Sequence, residues 1–154
     1  VSSTDPVVAP AVTPVQRVAL VLTMILAGVL GTWAYLWPRL FFDRFPVVLG
    51  TWISTDGPYN EHFVRDHGAM YLALGAAGVF ALARPSAALL RGLGIVWTVF
   101  AVLHGAYHLA HLYHLTRREA TGLTVALATA VLLGVALLLP GPGRLAAHPA
   151  RARR

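Results

Sequence analysis

The chain has no cysteine among its 154 residues. That excludes disulfides, thiolate metal centres, iron–sulfur clusters and cysteine nucleophiles, and leaves any metal or haem to imidazole, carboxylate and other nitrogen or oxygen donors. Lysine is absent too: all twelve basic residues are arginine, against six carboxylates, for a formal net charge of +6. Charged residues make up only 12% of the chain and hydrophobic residues 57%, whereas a soluble domain carries about 25% charge. Also missing are a glycine-rich phosphate loop, a Ser-His-Asp order and any nucleic-acid motif. Nucleotide chemistry, triad hydrolysis and nucleic-acid binding are therefore not expected.

What is present is apolar sequence, too much for one soluble core and arranged in four long runs. Residues 1–15, with Pro6, Pro10 and Pro14, read as a disordered or extended lead-in. No basic residue precedes Arg17, and the following run is long for a signal peptide, so it reads as a retained helix. The domain proper is expected over 16–140, with spans at about 15–37, 61–83, 92–115 and 121–139. Trp33, Tyr35 and Trp37 close the first run as an interfacial aromatic belt would. Residues 38–60 are too apolar for a free loop and too broken by Pro and Gly for a crossing helix. They are expected to lie at the interface over the bundle, with Asp56-Gly57-Pro58 as a turn and Asn60 as a helix cap.

The tail, 141–154, holds Arg144, Arg151, Arg153 and Arg154; it suits anionic lipid headgroups or serves as a solubilising extension. Four spans place both termini and the 84–91 link on one side. That side carries seven arginines (17, 84, 91 and the four in the tail) against five opposite (39, 44, 65, 117 and 118). The majority predicts a cell-membrane protein with both termini cytoplasmic. Small residues recur every fourth position at Ala19, Thr23, Ala27 and Gly31, at Ala69, Ala73, Ala77 and Ala81, and at Gly122, Ala126, Ala130 and Gly134. Such ridges let helices approach closely in lipid, or receive partner helices.

Six of the seven histidines fall in two segments, Glu61–His67 and His104–His114. In a helix His104, His108 and His111 lie within about 60° of one another, with Tyr107 about 60° off the stripe and His114 about 80° from His104. In the other segment His62 and Asp66 share a face at i, i+4, Glu61 and Arg65 share a neighbouring one, and His67 points elsewhere. Both segments lie about 10–15 Å below the same end of their helices.

Three readings follow. Glu61, His62, Asp66, His104, His108 and His111 could form a nitrogen/oxygen sphere for iron, copper, zinc or manganese, or His62, His104, His108 and His111 could hold haem. The same groups could be a metal-free proton or ligand site, with a quinone or other flat apolar molecule between Trp52, Tyr107 and the histidine face. Or they are structural: a Glu61–Arg65 salt bridge, a His62–Asp66 pair and interfacial histidines. His148 reads as a bystander, Trp52 and Trp97 as packing, and Asp43-Arg44 as a solvated pair.

The segments GPYNEHFVRDHGAMYLALG (57–75) and VLHGAYHLAHL (102–112) resemble those of small four-helix membrane proteins of the DoxX-like kind. The resemblance covers about a fifth of the chain by these segments, and its four-span layout covers nearly all of it. It implies a four-helix bundle whose second-helix polar turn faces the interior, and it carries over Asn60, Glu61, His62, Arg65, Asp66, His104, His108 and His111 as the candidate site. Some DoxX-like members are associated with quinone-linked redox systems; a thiol-exchange role is not implied here, because the cysteines are absent.

The expectation is thus an all-α integral membrane four-helix bundle in contact with the lipid bilayer. It has a histidine/carboxylate site near the outer leaflet for a metal ion or haem, with a possible redox role. The alternative is a cofactor-free accessory subunit packed against other membrane proteins.

Overall fold

The computed structural model describes residues 12–140. Most of the lead-in (1–11) and the whole basic tail (141–154), with His148, lie outside the described residues. Helix α1 (Pro14–Leu36) starts where Thr13 and Gln16 form a reciprocal capping box and Pro14 supplies the preset φ of a first helical residue. It stops because Pro38 has no N–H with which to continue the ladder. Pro38 instead opens a short helix, α2 (Pro38–Arg44), which buries Phe41 and Phe42.

Residues 45–60 then form an irregular strap across one end of the bundle. A bridge between Pro46 and Thr51 pinches it, the Phe45–Pro46 peptide is cis, and Val47 and Gly50 take φ of 77° and 100°. Gly50 is required twice over: its φ is left-handed, and a Cβ there would run into the Glu119 carboxylate. Helix α3 (Glu61–Ala83) begins on Asn60, whose side chain accepts the Phe63 N–H at 3.3 Å. Helix α4 (Ala87–Ala110) begins on Ser86 in the same way. It ends five residues before the expected Leu115, because His111 leaves helical backbone and Leu112–His114 make one 3₁₀ turn. A second capping box, Thr116 with Glu119, starts α5 (Arg117–Leu138). Helices α1, α3, α4 and α5 are each long and apolar enough to cross a membrane. The fold is therefore an all-α integral membrane four-helix bundle.

Glycine decides which helices pair. A Cβ on Gly31 would sit 2.9 Å from the Gly68 carbonyl oxygen, and one on Gly68 would sit 2.6 Å from the Tyr35 nitrogen, so α1 and α3 cross backbone on backbone. Likewise a Cβ on Gly134 would meet the Thr98 nitrogen at 2.8 Å, which joins α4 to α5. The first expected ridge is correct, since Ala19, Thr23, Ala27 and Gly31 are all buried. The second is correct only in its later half: Ala77 and Ala81 pack in the core, but Ala69 and Ala73 are exposed, and at that end the close face of α3 runs through Gly68 instead. The third is mixed, with Gly134 buried and Ala126 open.

Consecutive helices α3 and α4 are not close partners; α3 lies along α1 and α4 along α5. At the end away from the strap the two pairs close on a core that includes Leu20, Ala81, Leu90, Trp97 and Leu137. Buried Gln16 locks that end by donating from Nε2 to the carbonyls of Leu137 (3.3 Å) and Leu139 (2.8 Å), at the C-terminus of α5. At the strap end the pairs stay apart. The gap is roofed by an aromatic run in which Trp33, Phe41, Phe45 and Trp52 meet in sequence, edge-to-face or tilted, with ring centres 5.0–5.6 Å apart between neighbours.

Candidate functional site

The gap between the helix pairs is a cavity in two chambers. The outer one, about 430 Å³, lies beneath the strap and is bounded by Phe42, Asp56, Phe63 and Tyr107 among others. The inner one, about 310 Å³, reaches toward mid-bundle between Leu26, Leu30, Trp52, Tyr71, Phe100 and Ala130. Phe41, Ile53, His67, His104 and His108 line both chambers. Three imidazoles thus stand at the neck between an outer chamber that also carries Asp56 and Asn60 and an inner one that is otherwise apolar and aromatic. Each volume falls within the ~300–1,000 Å³ of small-molecule pockets.

Geometry explains how the three come together. His67 follows Val64 and Gly68 onto the inner side of α3, and its ring lies 4.9 Å from Tyr71, one turn deeper. His104 stacks on Phe100 at 5.1 Å with 16° between planes, and sits 5.8 Å from His67 across the α3/α4 seam. The His108 ring is 4.5 Å from that of His104, one turn nearer the strap. Its Nδ1 lies 3.7 Å from Asp56 Oδ2, and both side chains are largely covered (16% and 21% exposed). The Trp52 indole Nε1–H is buried with no hydrogen-bond partner.

The structure divides the residues expected to form the site. His104 and His108 line the cavity. His62 and Asp66 pair with each other at 3.3 Å on the outer surface, 79% and 61% exposed. Glu61 accepts from Arg65 Nε at 2.8 Å and borders a separate outward groove with Arg39 and Tyr59. Arg65 also donates to the Tyr35 carbonyl, which holds it on α1. Asn60 lines the outer chamber while capping α3. His111 lies past the end of α4, where its Nδ1–H donates to the Tyr107 carbonyl at 2.7 Å and its ring stacks on Tyr107. His114 is exposed. The shared sphere of Glu61, His62, Asp66, His104, His108 and His111 is therefore corrected. The absolute rotation of α3 turns its first three outward, and the break at Ala110 takes His111 off the stripe. Among the described residues no three histidine or carboxylate side chains gather so as to hold a metal ion. Asp43 pairs with Arg39 at 2.7 Å rather than with neighbouring Arg44.

The sequence reading missed His67 and Asp56. His67 carried a usable signal, because Tyr71 lies one turn on at i+4 and an aromatic hydroxyl is more at home inside a bundle than against lipid. Asp56 carried none, since a turn residue reaches α4 only through the course of the strap. Trp52, which the sequence allows as packing or as the wall of a ligand site, is part of the chamber wall.

Comparison with known proteins finds no matching family model, no similar curated protein and no similar solved structure. The site must speak for itself. Chemically it offers three rings that each can donate and accept a proton, one carboxylate at the mouth, an orphan indole donor, and flat aromatic walls. The described residues around the chambers supply no serine or cysteine nucleophile.

Proposed function

We propose that the protein binds a small, flat, largely apolar molecule with oxygen acceptors at its edge, of the quinone type, in this cavity. The observation that carries the reading is the neck itself: His67, His104 and His108 face a chamber whose other walls are aromatic and aliphatic. Apolar walls favour a ring drawn from lipid, and the imidazoles and the unpartnered Trp52 N–H favour carbonyl oxygens on it. Phe63 and Tyr107, exposed on α3 and α4, border the outer chamber, so its mouth opens beside the bilayer as well as under the strap. The arginine majority favours both termini on the cytoplasmic side of the cell membrane, which places this mouth at the outer face. Kinship with the DoxX-like group belongs to the same proposal and rests on residues 57–75 and 102–112.

The test is a titration of the detergent-purified protein with a short-chain benzoquinone and naphthoquinone, read by tryptophan quenching. A saturable signal is expected, lost in Trp52→Phe. Affinity should fall at least tenfold in Ala130→Phe, which fills the inner chamber, and stay unchanged in His62→Ala. Equal affinity in Ala130→Phe would overturn the proposal. So would a Soret band, or stoichiometric metal that disappears in the His104→Ala/His108→Ala double variant; either result would restore haem or metal binding. A protein that binds none of these would be the accessory subunit.

A further inference from the structure

We infer that Asp56, His108, His104 and His67 form a proton relay from the aqueous strap end into the inner chamber. The inference rests on the reading of that chamber as a ligand site, and it adds that the bound molecule exchanges protons there. The four groups are in file. Asp56 stands on the strap, 3.7 Å from His108; the His108 and His104 rings are 4.5 Å apart, and His104 and His67 are 5.8 Å apart. They belong to three different elements, so helical periodicity alone does not align them. Ionisable groups are costly in a bilayer, and a file of them facing a cavity is the arrangement of a path rather than of a surface. The His104 and His108 rings are in edge contact, and the outer chamber that these imidazoles line, at about 430 Å³, has room for waters beside them.

Among the described residues three further titratable groups adjoin the file. Tyr71 adjoins the inner end on α3, and Tyr107 and His111 flank the outer end on α4. The described chamber walls supplied by α1, α2 and α5 are apolar. Each step moves one proton and no electron. The Asp56 carboxyl gives its proton to a free nitrogen of His108. The opposite N–H of that imidazolium passes its proton on to His104, and thence to His67 at the inner chamber. Asp56 is then reprotonated by water.

The test needs no ligand, so it separates the relay from the failure of quinone binding. With ¹⁵N-labelled histidine in lipid nanodiscs, the exchange of ring N–H protons with water is measured at each imidazole by NMR. His67 and His104 should exchange rapidly in the native protein. Asp56→Asn should slow both at least tenfold, Asp56→Glu should restore them, and His62, which is already exposed, should not change. His108→Phe should slow them as well. If it does not fold, the Asp56 pair, which lies on the strap, decides the matter. Unchanged exchange at His67 and His104 in Asp56→Asn would show that their protons arrive by another route and would overturn the relay.

Discussion

At the scale of single residues, two polar side chains in this apolar chain do opposite jobs. Gln16 is nine-tenths buried and fully used: it completes the cap of α1 and reaches 121 and 123 residues along the chain to two α5 carbonyls. Those carbonyls are at a helix end and have no partner within the helix. Gln16→Leu keeps the bulk and removes the donor. It should lower stability by about 1–3 kcal/mol, the cost of leaving buried polar groups unpaired, as read by denaturant unfolding in detergent micelles. Because the cavity lies at the opposite end, quinone affinity should hold. Trp52 is the converse case, a buried donor left open, and it lies where a ligand would supply the acceptor.

At the scale of elements, the packing faces are set by where backbone can touch backbone. The α1/α3 crossing at Gly31 and Gly68 has no room for a side chain on either glycine. Gly68→Leu should therefore force the helices apart and lower stability by about 1–3 kcal/mol or more, the range for overpacking. Ala69→Leu, one residue along but on the exposed face, should be neutral to within about 0.5 kcal/mol. The pair is measured by the same unfolding titration. Equal effects would return the packing face of α3 to the alanine ridge. Part of the element layout was legible: proline after α1 and Asn60 as a cap mark observed boundaries, whereas α4 and α5 begin at Ala87 and Arg117, ahead of the expected starts near 92 and 121, because Ser86 and Thr116 cap them. The end of α4 was not legible. The run His-Leu-Tyr-His contains no residue that breaks a helix, and it takes the fold to turn Leu112 toward the cluster around Trp52 and Leu123.

At the scale of the whole molecule, the absence of native cysteine makes orientation directly measurable. Tyr113→Cys places a thiol at the strap end, and Arg84→Cys places one at the other. A membrane-impermeant maleimide applied to intact cells should label the first. The second should react only after permeabilisation; the reverse pattern would put the cavity mouth inside.

The sequence by itself determined that this is a membrane protein of four helices. Apolar length and the scarcity of charge leave no other solvent for the chain, and caps and prolines set most of the ends. It also marked the two polar segments from which the site is drawn. Only the tertiary structure decided which of their residues meet. In water, an apolar stripe tells which face of a helix is inside. In lipid, both faces are apolar, so the 100° step between residues fixes His67 relative to His62 but not which of the two looks inward. That rotation is set by glycine contacts between distant helices. It sends Glu61, His62 and Asp66 to the surface, brings His67 to His104, and leaves Asp56 to close the file from the strap.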